Sequence, residues 1–252
     1  MQKYRIYFDT CENIKKNKVK NVKLMITSPP YWDLKNYEAK NQIGFNEDYQ
    51  TYLDRLYQVW KSTHDVLQKN GLAIININTK SFQSSLKLLP YDFIKQMQNI
   101  GFYFKDIHYW HKSSGIPATN NLKDNFEYFL IFSKSKKITH KKDIDYFDYK
   151  LNFKPSKSNI WNINKKFGSV GKKFMIHPAV FPVPYISRML KIFTDENDLI
   201  MDPFLGSGTT LISCMQNNRK FVGFELNNKE YKKLIKENLK SYKLDFSSVK
   251  IN

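Results

Sequence analysis

Apolar and polar positions along the chain follow two alternating rhythms, which predict an α/β domain built round a mostly parallel sheet. Residues 4–8 and Val22–Thr27 read as short strands. The second stops at Ser28-Pro29-Pro30, because consecutive prolines lack the N–H groups a central ladder needs. Over residues 49–69, Tyr52, Leu53, Leu56, Val59, Trp60 and Leu67 fall at helical spacing. Gly71 breaks the pattern, and 72–77 reads as a buried strand. A second helix is predicted over 91–100, ending before Gly101. Residues 102–110 and 126–132 predict two neighbouring strands, joined by a polar segment, 112–125, expected to be a mobile loop.

From 133 to 174 lysine and asparagine dominate and neither rhythm persists. An inserted subdomain or extended loop region is expected there, with a disordered basic linker as the alternative. Order returns at His177, with a helix over Val183–Phe193, a strand over 199–201 and a helix over 209–217. A strand over 221–224 and a lysine-rich terminal helix over 228–242 complete the pattern.

At 252 residues the chain can bury a full core, and no apolar run approaches the roughly 20 residues of a membrane span. Met1-Gln2-Lys3-Tyr4-Arg5 leads straight into a strand-like stretch without a secretory signal, so a cytoplasmic, prokaryotic, DNA-associated location and no membrane partner are expected. Cys11 and Cys214 are too few for a disulfide framework or a cysteine zinc site. His108 and His111 flank Trp110 without acidic or cysteine partners, so no metal is expected. The net charge of +18 points to a polyanionic partner, nucleic acid first among them. The excess of lysine over arginine also fits the compositional bias of an A/T-rich genome.

Two loops carry candidate chemistry. Asp202-Pro203-Phe204-Leu205-Gly206-Ser207-Gly208-Thr209-Thr210 follows a predicted strand and opens a predicted helix. Its glycines permit positive φ, and the free N–H groups at the helix start suit an anionic group. No lysine follows the glycines, which disfavours a phosphate-cradling loop of the ATPase kind. Glu225, 19 residues beyond Gly206 at the end of the next strand, can accept hydrogen bonds from both hydroxyls of a ribose. Together these predict an adenosine-type cofactor. The second loop is Thr27-Ser28-Pro29-Pro30-Tyr31-Trp32. An exocyclic amine on a nucleobase is a weak nucleophile, because its lone pair is delocalised into the ring. Acceptors beside its hydrogens draw the nitrogen towards tetrahedral geometry, and Ser28 Oγ and the Pro29 carbonyl are suitable ones. Tyr31 can stack on a base swung out of a duplex, while Trp32 either extends that wall towards nucleic acid or packs beneath it.

These motifs resemble those of the amino-methylating DNA methyltransferases. Ser28-Pro29-Pro30-Tyr31 resembles the family's catalytic motif, and the 202–210 loop resembles its cofactor motif. His177-Pro178-Ala179-Val180-Phe181-Pro182 resembles the segment lining the methionine end of the pocket. Tyr7-Phe8-Asp9 resembles the segment whose acidic residue binds the cofactor's adenine, although the family usually carries glycine where Phe8 stands. Catalytic motif first and cofactor motif last resembles the β class. The resemblance implies a Rossmann-like S-adenosylmethionine-dependent methyltransferase fold with circularly permuted motif order. Residues 1–132 would form its catalytic half, 133–175 a basic target-recognition insert and 176–252 the cofactor-binding half. Serine opening the catalytic motif resembles the cytosine-N4 enzymes, whereas adenine-N6 enzymes usually carry aspartate or asparagine.

The cofactor contacts so implied are Asp9, His177, Pro178, Phe181, Asp202, Pro203, Phe204, Gly206, Ser207, Gly208, Thr209, Thr210 and Glu225. Asp9 as a turn residue and His177 as a structural hydrogen-bonder are the alternatives at those two positions. Ser28, Pro29, Pro30 and Tyr31 would serve catalysis. Trp32, Lys112, Lys154, Lys157, Lys165 and Lys166 would meet double-stranded DNA, with solvation the alternative for Lys112. A cognate restriction endonuclease and a homodimer are left open as further partners. Methylation at cytosine C5 is disfavoured, because neither cysteine follows a proline as that chemistry's nucleophile does. A non-catalytic nucleic-acid-binding module on the same fold and an enzyme acting on RNA are the competing readings.

Overall fold

The computed structural model describes residues 3–33, 36, 39–82, 85–112, 125–137, 159–163 and 182–252. The chain enters through β1 (Tyr4–Tyr7), passes a 3-10 turn at Cys11–Asn13 and forms β2 (Val22–Thr27). Asp48 caps α1 (Tyr49–Val66) by accepting a hydrogen bond from Thr51 N, which satisfies one of the first turn's free donors. The helix buries Tyr52, Leu53, Leu56, Val59 and Trp60 along one stripe. It ends three residues before the expected 69, because β3 (Leu67–Ile77) starts at once. Leu67 pairs with Val22 and, after an irregularity, Leu72 pairs with Leu24. Gly71 therefore lies inside a strand, where a Cβ would come within 3.0 Å of the Gln68 carbonyl oxygen.

A hairpin of β4 (Lys80–Phe82) and β5 (Ser85–Lys87) follows, too short to show a rhythm in the sequence. α2 (Leu89–Ile100) starts two residues before the expected 91, with Pro90 in the first turn, where its missing N–H goes unneeded. Gly101, at φ 110°, closes the helix in the left-handed conformation. β6 (Tyr103–His111) and β7 (Phe126–Ser133) are antiparallel neighbours. Residues 113–124, the body of the expected mobile loop, lie outside the described residues. β8 (Ile160–Asn162) falls within the segment expected to lack regular structure; it pairs with β6 and sends Trp161 into the core. The chain continues through α3 (Val183–Phe193), β9 (Leu199–Asp202), α4 (Thr209–Gln216), β10 (Lys220–Phe224) and α5 (Asn228–Ser241). An unexpected last strand, β11 (Val249–Ile251), joins the sheet edge beside β1.

The sheet order is β11-β1-β10-β9-β2-β3-β7-β6-β8. Every pairing from β11 to β3 is parallel, and β7 runs against both its neighbours. Successive residues of the central strands feed opposite cores: Leu24, Ile26, Leu72 and Ile74 face α3, α4 and α5, while Met25, Ala73 and Ile75 face α1 and α2. Burial on both faces explains why these strands read as continuous apolar runs. From β2 the chain moves to β3, and from β9 it moves the opposite way to β10, so the order reverses between β2 and β9. Ligand crevices of open α/β sheets form outside the carboxyl ends of strands at such a reversal. No helix among the described residues is long and apolar enough to cross a membrane.

Candidate active site

A cavity of about 940 Å³, open mouth included, lies at that reversal. The carboxyl ends of four strands supply most of its wall: Asp9 after β1, Ser28 to Tyr31 after β2, Pro203 to Ser207 after β9 and Glu225 after β10. Two loops separated by some 170 residues in sequence thus share one space.

The loop after β2 is held from outside. Tyr52 Oη donates to the Pro30 carbonyl at 2.9 Å, and Lys80 Nζ donates to the Trp32 carbonyl. Among the described residues, neither Ser28 Oγ nor the Pro29 carbonyl has a hydrogen-bond partner, and both residues line the cavity. The backbone on one side of them is spent on anchoring; their own acceptors stay available. Tyr31 lines the same space. Trp32 does not extend the wall. It is 7 % exposed, donates from Nε1 to the Glu47 carbonyl at 2.8 Å, and packs on Tyr49 and Phe82. The expectation that Trp32 meets nucleic acid is corrected, because its ring and its one donor are both occupied inside the protein.

In the loop after β9, Gly206 and Gly208 adopt φ of 52° and 86°, and Gly208 caps α4. A Cβ at Gly208 would approach the Ile235 side chain to 3.2 Å, so close packing of α4 on α5 adds to the conformational demand. Pro203, Phe204, Gly206, Ser207 and Thr209 reach the cavity. Asp202, Gly208 and Thr210, expected as cofactor contacts, stand behind it as braces. Asp202 Oδ1 accepts from Thr27 Oγ1 at 2.6 Å and from Phe204 N at 3.1 Å, and Oδ2 accepts from Thr210 Oγ1 at 2.6 Å. Burial pushes the Asp202 carboxyl up to about 6, against these hydrogen bonds, which favour the ionised form.

Glu225 does line the cavity, and its side chain steadies the glycine turn. Oε2 accepts from Gly206 N at 2.8 Å and Oε1 from Asn227 N at 3.0 Å. Burial raises its pKa to about 7, opposed by those backbone hydrogen bonds. A carboxylate has about four acceptor positions, so Glu225 retains acceptor capacity for a donor in the cavity. Asp9 lies beside it across the β1–β10 pair, with Glu225 N donating to the Tyr7 carbonyl. Asp9 accepts from Thr10 N and from the side chains of Asn13 and Asn17. Burial alone would raise its pKa; the hydrogen bonds from Asn17, Asn13 and Thr10 outweigh it and hold the carboxyl below its usual range. Asp9 is thus both a turn residue and part of the wall.

Sequence reasoning missed Thr10, Cys11, Ala39, Asn41, Gln42, Ile43, Leu205, Phe224, Leu226 and Tyr231, all of which line the cavity. Thr10, Cys11, Phe224 and Leu226 adjoin expected residues and were reachable by extending the motifs. Nothing local signals the 39–43 segment. Lys112 is committed to an ion pair with Glu127 at 2.6 Å, each side chain about 15 % exposed, so free solvation is not its state. His177, Pro178, Phe181, Lys154, Lys157, Lys165 and Lys166 lie outside the described residues.

The donor set suits an adenosyl amino acid: a buried carboxylate for hydroxyl donors, a glycine turn at a helix start, and apolar walls from Phe204, Leu205 and Ile43. A family model described as DNA methylase matches residues 22–237. The orphan methyltransferase M.BamHII of Bacillus amyloliquefaciens is 28 % identical over 250 residues, which cover 88 % of this chain and 89 % of that protein. The protein TTHA0409 of Thermus thermophilus, solved in complex with S-adenosyl-L-methionine, superposes with a TM-score of 0.71 at 24 % identity, covering 99 % of each chain. PvuII DNA methyltransferase, cytosine-N4-specific, superposes with a TM-score of 0.72 at 21 % identity over 96 % of this chain and 86 % of that one.

Proposed function

We propose, since this chain belongs to the DNA methylase family, that it transfers a methyl group from S-adenosylmethionine to the N4 amino group of cytosine in a short duplex site. The observation that carries the reading is the pair of uncommitted acceptors, Ser28 Oγ and the Pro29 carbonyl, on the same cavity as Glu225 and the glycine turn. The donor supplies an electrophilic methyl on sulfur. Glu225 would accept hydrogen bonds from the ribose, and Gly206, Ser207 and Thr209 would hold the rest of the donor at the start of α4. Ser28 Oγ and the Pro29 carbonyl would each accept a hydrogen bond from the amino group of the extruded base and aim its lone pair, while Tyr31 stacks on the ring. Transfer would be direct: the N–C bond forms as the donor's S–CH3 bond breaks, S-adenosylhomocysteine departs as the neutral thioether, and the methylated nitrogen then loses a proton to water.

The segment 133–175, with Lys154, Lys157, Lys165 and Lys166, is assigned to gripping and reading the duplex, a role supported by its charge. The serine that opens the catalytic motif supports cytosine, and the fold shared with a cytosine-N4-specific enzyme is compatible with it. The deciding experiment methylates DNA with labelled donor, digests it, and identifies the modified nucleoside by mass spectrometry. N4-methylcytosine is expected. N6-methyladenine alone would transfer the assignment to adenine, and no product on any DNA would leave a binding module.

A further inference from the structure

Residues 39–47 form neither helix nor strand, and Ala39, Asn41, Gln42 and Ile43 line the cavity. Asn41, Gly44 and Asn46 hold positive φ of 64°, 84° and 56°. A strap with three left-handed residues in six keeps its shape only when bonds from outside impose it. Asp33 N, donating to the Gly44 carbonyl, and Trp32 Nε1, donating to the Glu47 carbonyl, supply two of them, and Arg55 on α1 supplies those at Asn41, Gln42 and the Glu47 carboxylate. Nη1 donates to the Gln42 carbonyl at 3.2 Å and to Glu47 Oε2 at 3.1 Å, and Nη2 donates to the Asn41 carbonyl at 2.9 Å. Nη2 and Nε also grip the Glu12 carboxylate, at 3.0 and 3.2 Å. Glu12 directly follows Asp9, Thr10 and Cys11, which form a neighbouring stretch of wall. One guanidinium thus ties two walls of the cavity to a single helix while standing outside the cavity itself. Its planar fork of five N–H groups makes this possible; an ammonium is a single point of charge.

We propose that Arg55 is a positioning residue for the methyl donor, setting the spacing of the two walls and so the time the donor stays bound. The inference rests on the reading of this cavity as the donor's site. Because Arg55 is not among the residues that line the cavity, it would govern donor retention and leave the transfer step alone.

The test compares wild type with R55A and R55K. Calorimetry with S-adenosylmethionine and S-adenosylhomocysteine gives affinities, stopped-flow displacement gives dissociation rates, and steady-state turnover on DNA separates KM from kcat. Loss of these charge-assisted bonds in R55A should raise donor Kd and KM about tenfold through faster dissociation, with kcat at saturating donor within about twofold of wild type. R55K should recover only part, since one ammonium cannot hold Glu12 and both strap carbonyls together. Unchanged dissociation in R55A, or a fall in kcat with KM unmoved, overturns the proposal. Should R55A lose its fold by circular dichroism, E12Q and E47Q each cut one arm of the clamp and should each speed dissociation; two variants indistinguishable from wild type overturn it equally. A wild-type protein that binds no donor rejects the reading of the cavity, whereas a donor-binding wild type with an insensitive R55A rejects the clamp alone.

Discussion

Thr27 and Asp202, 175 residues apart in sequence, are joined by a buried hydrogen bond of 2.6 Å from Thr27 Oγ1 to Asp202 Oδ1. Thr27 is the last residue of β2 and Asp202 the last of β9. The bond therefore staples the loop that presents Ser28 to the loop that carries Gly206. Thr27→Val keeps the shape and removes the donor, leaving a buried carboxylate oxygen short of a partner. Stability should fall by about 1–3 kcal/mol in urea denaturation, and Thr27→Ser should restore most of it. A fully stable valine variant would mean that the staple contributes nothing.

On the proposed reading, Glu225 should give donor binding a pH dependence. Burial pushes its carboxyl up to about 7. Ribose hydroxyls donate to the ionised form, so affinity should rise as pH climbs through about 7, and binding should release a proton near neutrality. Calorimetry in buffers of different ionisation heat measures that proton, and Glu225→Gln should abolish its release. Without ligand the same shift runs the other way. Asp202 and Glu225 both carry raised values, about 6 and about 7. The stability they contribute is full below their unfolded values and is lost as pH rises through the folded ones. Asp9 and Glu12, both lowered, contribute stability that is full above their unfolded values and is lost as pH falls through the folded ones.

Ser28→Ala should leave donor affinity near wild type and reduce turnover on the order of a hundredfold, since one acceptor for the reacting amine is lost while the cavity keeps its walls. Single-turnover assays with saturating donor and DNA make the comparison. An alanine variant of full activity would remove Ser28 from the chemistry.

On the proposed reading, DNA affinity should fall steeply with salt, because a chain of net charge +18 would bind a duplex chiefly by displacing its counterions. Titrations at several salt concentrations give the slope of log affinity against log salt. Charge removal at Lys154, Lys157, Lys165 and Lys166 together should reduce that slope by several units. A flat dependence in wild type would contradict the phosphate grip.

The helix stripe from Tyr52 to Trp60 and the strands of 22–27 and 72–77 were legible because each is long enough for its rhythm to show. The hairpin of β4 and β5, the three residues of β8 and those of β11 were not, since three residues hold no period. Helix ends shifted where a neighbour claimed the residues: Leu67 left α1 to pair with Val22.

Local chemistry was readable in the chain itself. Paired prolines stop a strand and glycines allow a left-handed turn wherever they occur, so the two loops of the cavity could be named before any packing was known. Which side chains in those loops face the cavity was settled only by tertiary structure. Asp202 and Thr210 turn inward because β2 lies beside β9 and offers Thr27 as a partner. Trp32 is buried because Tyr49 and Phe82 converge on it, and Asn41 and Gln42 form a wall because Arg55 on another element holds them there. A residue's backbone preferences belong to it alone, whereas its exposure and its partners depend on which distant strands the sheet sets side by side.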